Sequence, residues 1–228
     1  MAKKKAKKAV VKRVESVEES SKKSVIENEN RQLFWFFVVV GVVFATVFVS
    51  YFFVESLKGF EYGGTNWTVE DYGQFDIYHT RFASLYRKNM MYNLYLRNDP
   101  RKNNVPVEGE FKSFKRGGYI SLSQEFESCR GEVSRVMVDL GAFLKSGLGM
   151  DAIAVATSDA EFSLRSETPY VNCSNTLDRS VFMIDVGENG VVQDDVNRFC
   201  YTITVEDCND ITSVEKFMTE ILVAHMGG

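Results

Sequence analysis

Four cysteines and two histidines are the residues of this 228-residue chain best suited to covalent or metal chemistry. Cys129, Cys173, Cys200 and Cys208 allow three disulfide pairings. If Phe199–Val205 is extended, Cys200 and Cys208 stand roughly 26 Å apart at about 3.3 Å per residue, far beyond the ~7 Å between Cα atoms that a disulfide tolerates. Of the two pairings left, the preferred one joins Cys173 to Cys200, stapling the irregular 159–180 stretch onto a strand. It then joins Cys129 to Cys208, tying together the starts of two helices. Zinc is the rival use of these thiols. Their spacing lacks the paired C-x2-C knuckles of a zinc site, so neither a metal nor a cofactor is expected.

His79 falls at a strand end and His225 in a last helical turn, where a cation suits the helix dipole. The chain has no H-E-x-x-H, no G-x-S-x-G, no P-loop and no G-x-G-x-x-G. Asp194-Asp195 and Glu206-Asp207 are paired acids, but neighbours on a strand point to opposite faces. No catalytic residue is assigned. An enzyme of hydrolase type would have to gather carboxylates from distant segments, with His79 beside them.

Charge is unevenly distributed. Residues 1–31 carry ten Lys/Arg against five Glu, a net +5, within an overall −4. Residues 81–116 carry a net +6 and residues 117–228 a net −11. Arg97, Asp99, Arg101, Lys102, Lys115 and Arg116 in the basic part are the candidate partner-binding residues, forming a face for an acidic partner or anionic surface. The alternative is that the basic and acidic parts cover one another. The lysine cluster at Met1–Lys8 is read as a topology signal, and no nucleic acid is expected.

These groups must be positioned by three kinds of segment. Residues 1–32 are too polar to bury a core and read as a disordered basic cytoplasmic tail. Leu33–Val54 is a run of 22 residues without a charge, about 33 Å long as a helix, enough to span a bilayer core of about 30 Å. The run exceeds a cleavable signal's 7–15 residues, and bulky Tyr51-Phe52-Phe53 occupies its exit. It therefore reads as an uncleaved signal anchor, with lysine excess placing the tail inside and the remainder outside. Trp35 and Tyr51 suit the two interfaces, and Gly41 and Ala45, four apart, would let two such helices pack closely. An outside location agrees with the position of all four cysteines and of two glycosylation sequons, at Asn66 and Asn172.

Residues 55–73, rich in glycine and aromatics, read as a linker, and 74–228 as one extracytoplasmic domain. Alternation predicts strands at Phe75–His79, Met90–Arg97 and Tyr119–Leu122, a pairing segment around Val105–Lys115, and strands at Val181–Val186 and Phe199–Val205. Apolar spacing predicts a helix over Cys129–Ser146, followed by a buried strand Ala152–Thr157 parallel to its predecessor. Thr212-Ser213-Val214-Glu215 has capping-box spacing and opens a last helix. The fold class expected is α+β: a mixed α/β sheet of about five to seven strands with two covering helices, after one N-terminal transmembrane helix.

The segments Tyr92–Arg101 (YNLYLRNDPR) and Cys200–Cys208 (CYTITVEDC) resemble uncharacterised single-pass membrane-anchored proteins of small-genome archaea. That resemblance implies an archaeal envelope setting, the same topology and a cysteine-bearing outer domain, with no activity to carry over. The reading from sequence is a single-pass cell-membrane protein, N-terminus cytoplasmic, whose outer domain binds a protein partner or supports an envelope complex. The alternatives are an anchored hydrolase-like enzyme and an accessory subunit of a secretion or transport complex.

Overall fold

The computed structural model describes residues 33–54, 59–127 and 133–227. The predicted tail 1–32 lies outside them, as does Cys129. The chain divides into two compact units, Met1–Leu57 and Lys58–Gly228.

In the first unit, Leu33–Val54 is one helix (α1), long and apolar enough to cross a membrane, with no part of it buried. Gly41 and Ala45 are both exposed on it, and a Cβ added at Gly41 would meet nothing within 4 Å.

The second unit contains two sheets rather than the single one expected. The first is an antiparallel meander in chain order: β1 (Gly59–Tyr62), β2 (Thr65–Asp71), β3 (Asp76–Ala83) and β4 (Met91–Leu96). Residues 59–71, read from sequence as linker, are thus its first two strands. Gly63 and Gly64 both have positive φ, 60° and 73°, as a two-residue turn with both central residues left-handed requires. Inward-facing Trp67, Phe82, Leu94 and Leu96 belong to the core, with half-buried Phe60 packed against it.

The second sheet has the order β5-β9-β10-β8-β6-β7, with β5 (Val107–Glu108), β6 (Gly117–Leu122), β7 (Ala152–Thr157), β8 (Ser180–Val186), β9 (Gly190–Gln193) and β10 (Cys200–Val205). β7, β6, β8 and β10 run parallel, while β9 pairs antiparallel with β10. The expected crossover from β6 to a parallel β7 is present. It passes through α2 (Gln124–Glu127) and α3 (Val133–Ala142), which continues as a π-helix over Phe143–Leu148. β7, however, is an edge strand with Val155 more than half exposed, and it is buried only at Ala156 and Thr157, where residues 169–171 pair with Thr157. The stretch 159–180 holds a further helix, α4 (Ala160–Ser166), started by Asp159, whose side chain accepts from Glu161 and Phe162 N–H. The last helix, α5, is Thr212–Met226.

α3 with its π turn and α5 contact both sheets. Gly147 packs on Tyr92 of β4 and Gly141 on Ile120 of β6. Phe217 of α5 lies 5.6 Å from the Tyr201 ring and 5.7 Å from the Phe182 ring. Farther along α5, Val223 and Met226 meet the Gly63-Gly64 turn. One cluster including Leu94, Ile120, Leu140, Phe143, Phe182, Tyr201 and Phe217 therefore joins the two sheets through the helices. The opposite face of the six-stranded sheet has a smaller cluster of Ala156, Val171, Val181 and Cys200. There Cys173 is disulfide-bonded to Cys200, as expected. Cys208 is also disulfide-bonded; its expected partner, Cys129, lies outside the described residues.

Candidate functional site

A cleft of about 930 Å³ opens where the parallel strands end. Gly187 follows β8 and Glu206 follows β10, and both line it together with Asn98, Asp99, Lys102 and Asn104 from the loop after β4. In open parallel sheets, crevices beyond the carboxyl ends of strands are where ligands usually sit.

The loop is shaped by Asp99. Pro100 cannot extend the ladder of β4, so the chain turns, and the Asp99 side chain, only 6% exposed, gathers the cations that follow it. Its oxygens accept from Arg101 Nε at 2.9 Å and Nη2 at 2.8 Å, and Lys102 Nζ stands 3.8 Å away. The paired guanidinium holds the Asp99 carboxyl below the ordinary carboxylate range, against the opposing effect of burial. Arg101 also lies over the Phe60 ring, 3.7 Å from its centroid. It is thereby fixed between β1 and the loop. Lys102, 80% exposed, is the most accessible cation here. Arg97 is exposed as well.

Glu215 lies behind the loop. Read from sequence it is half of a capping box, yet its side chain reaches away from its own helix end. It accepts from Arg97 N–H at 2.6 Å, Asn98 N–H at 3.0 Å and Asn98 Nδ2 at 2.8 Å. The start of α5 is capped instead by Asp210, which accepts from Thr212 N–H at 2.8 Å. Burial pushes the Glu215 carboxyl up to about 7, despite the hydrogen bonds from Asn98 that favour its ionised form. This carboxylate ties the end of the meander to α5. The spacing that made it look like a cap gave no hint of that role.

The remaining expected site residues lie elsewhere. Lys115 and Arg116 precede β6, at the opposite end of the parallel strands from Arg97–Lys102, a strand length of about 20 Å away. The six candidates therefore do not form one basic face. Lys115 instead covers the Phe199 ring at 4.1 Å. His79 stands on the outer face of the meander, stacked on Tyr95 at 4.5 Å, with Glu70 3.7 Å from its Nδ1. It lines none of the clefts described here. His225 Nδ1 is 2.9 Å from Ile221 O. Asn66 is exposed on β2. The Asn172 side chain is engaged, accepting from Ser174 and Asn175 N–H and donating to Tyr170 Oη. Among the described residues no group of three His, Cys, Asp or Glu side chains could hold a metal.

No protein-family model, curated protein or solved structure matches the chain.

Proposed function

We propose that the chain is a single-pass membrane protein in which α1 is retained as a signal anchor, residues 1–32 are cytoplasmic, and unit Lys58–Gly228 lies outside. There it binds a protein partner through the cleft beside Asn98–Lys102 or supports an envelope complex, in the archaeal envelope setting that the resemblance implies. The observation that carries this reading is α1 itself, 22 residues with no charge and no buried part, a surface stable in hydrocarbon and costly in water. The Cys173–Cys200 disulfide supports an oxidising compartment. The accessible polar groups of the cleft, Lys102 and Asn104 at its rim and Glu188 and Glu206 across it, suit a partner's polar segment.

The test combines topology with capture. Protease added to intact cells should digest unit Lys58–Gly228 after disulfide reduction and leave a fragment holding residues 1–54. Cross-linking from gently solubilised membranes should capture a stoichiometric partner that Lys102→Glu with Asn104→Arg loses, the fold being retained. A mature protein starting after Val54 would overturn the anchor. Partner capture unchanged in the double variant would overturn the cleft.

A further inference from the structure

β4 is the last strand of the meander and pairs on one side only. Ser84 N–H donates to Met90 O at 2.7 Å, in the register that sets Tyr92 opposite Phe82 and Leu94 opposite Thr80. Backbone groups alternate in direction along an antiparallel strand. Tyr92, Leu94 and Leu96 therefore turn theirs toward β3, while Met91, Asn93 and Tyr95 turn theirs outward. Arg97 continues the outward series, and its N–H is taken by the Glu215 carboxylate at 2.6 Å. The outward N–H and C=O groups of Met91, Asn93 and Tyr95 have no partner among the described residues. Their side chains are exposed as well.

Sheets that stay separate guard their edges with charge, proline, bulges or very short strands. The other edge strands of this domain are guarded. β1 is four residues with Glu61 among them, and β5 is two residues ending in Glu108. The end of β7 is occupied by residues 169–171, which exchange hydrogen bonds with Thr157. β4 has six residues with no charge and no proline, and no bulge interrupts its register against β3. Large side chains stand open along it: Met91 is 51% and Tyr95 56% exposed.

We propose that this edge pairs antiparallel with β4 of a second copy of the chain, about a two-fold axis at Asn93, joining two meanders into one continuous sheet. Length, side chains and charge choose a second copy over a foreign strand. The open edge is bounded by Glu215 at Arg97, so a partner strand has to leave the sheet where it would face that residue. With Asn93 facing Asn93, Arg97 faces Asn89 of the second copy. There β4 has not yet begun, because residues 87–90 form a tight turn, Met90 N–H donating to Arg87 O at 2.8 Å. A strand that ran on would have to displace the carboxylate. In the same register Met91 faces Tyr95 of the second copy, a contact of thioether with aromatic ring that the symmetry repeats. Every outward N–H and C=O of Met91, Asn93 and Tyr95 then meets its complement. An isologous contact repeats each charge on both sides, and β4 has none to oppose. The inference uses neither the Asn98–Lys102 cleft nor the membrane topology, so it stands apart from the partner-binding reading.

The test uses the full chain, in membranes and in detergent. Asn93→Cys puts two thiols on the axis, where facing Cα atoms of a hydrogen-bonded pair lie about 5.5 Å apart, within the span of a disulfide. Mild oxidation of the membranes should link this variant into a dimer and leave the parent chain unlinked. Met91→Cys and Tyr95→Cys chains expressed together should link to each other, whereas Met91→Cys alone should not. In detergent, sedimentation should show a dimer that dissociates over about a hundredfold dilution. Asn93→Lys opposes like charges across the axis and should weaken that dimer about tenfold or more, with circular dichroism unchanged. If Asn93→Cys links to a different protein and not to itself, the choice of a second copy is overturned. A dimer that Gly41→Leu abolishes and Asn93→Lys leaves within about twofold of the parent would place the contact in α1 and overturn the proposal. A chain that stays monomeric in detergent and forms no link through Asn93→Cys in membranes would overturn it as well.

Discussion

In the meander every strand pairs with its neighbour in the chain, whereas in the six-stranded sheet β6 lies between β7 and β8, and β10 between β8 and β9. The first sheet closes its hydrogen bonds through short turns such as Gly63-Gly64, so its pairing requires little loop closure. The second brings together residues far apart in sequence, with Tyr119 facing both Ala154 and Val181. It carries the Cys173–Cys200 staple on one face and the helices on the other. The meander has the helices on its inner face and no described element on its outer one. Order in the first sheet is mainly local, and in the second mainly imposed by what packs on it.

That contrast can be probed from its centre outward. Phe217→Ala should have the largest effect, because this fully buried ring touches Phe111, Phe182 and Tyr201. A loss of about 3–5 kcal/mol in denaturant unfolding is expected, with both sheets melting together if the helices couple them. Replacing Cys173 and Cys200 by serine should cost about 2–4 kcal/mol. The loss should appear first as hydrogen exchange in residues 167–180, leaving exchange in the meander unchanged.

Glu215 tests the tie between the sheets. Its carboxyl is raised from 4.5 to about 7 by burial, so the unfolded chain ionises first as pH rises. The stability associated with its neutral form is fully present below about pH 4.5 and is lost as pH rises through about 7, on the order of 2–4 kcal/mol in all. Urea unfolding between pH 4.5 and 8 should show this slope, and Glu215→Gln should flatten it. Gly64→Ala strikes where the meander meets the end of α5. With φ at +73° and an added Cβ driven into the Met226 carbonyl, it should cost about 2 kcal/mol or more, read as a shift in thermal midpoint. His79→Ala, on the open outer face, should change stability by less than about 1 kcal/mol. A larger loss would mean that this face is covered.

Much of this arrangement can be read from the residues. Leu94 and Leu96 alternating with Asn93 and Tyr95 mark β4, and Phe199-Tyr201-Ile203-Val205 marks the inner face at β10. α3 and α5 announce themselves by apolar spacing. Phe60 and Tyr62, then Thr65, Trp67 and Val69, alternate just as clearly about Gly63-Gly64, but glycine-rich surroundings make them look like linker. β9 is too short to show a period, and Asp159 is the only signal for α4. At the site, the Asp-Pro turn is legible, with Arg97 and Arg101 both near enough in sequence to pair with Asp99, and the structure selects Arg101. The separation of Arg97–Lys102 from Lys115–Arg116 was not, because a charge sum along the sequence carries no information about which end of a strand it falls on.

The sequence by itself determines α1, since 22 uncharged residues need no tertiary partner to be helical and apolar. It also determines the strands with a strict two-residue period, and the exclusion of Cys200–Cys208 by chain geometry. Only the tertiary structure decides the order β5-β9-β10-β8-β6-β7, the division into two sheets, and the position of Glu215 beneath Arg97 and Asn98. These depend on contacts between residues distant in the chain, where a side chain's role is set by what folding brings to it. Glu215 and Arg97, 118 residues apart, illustrate this. A carboxylate that local spacing assigns to a helix cap is spent instead on the backbone of a distant strand, because those buried N–H groups have to be satisfied.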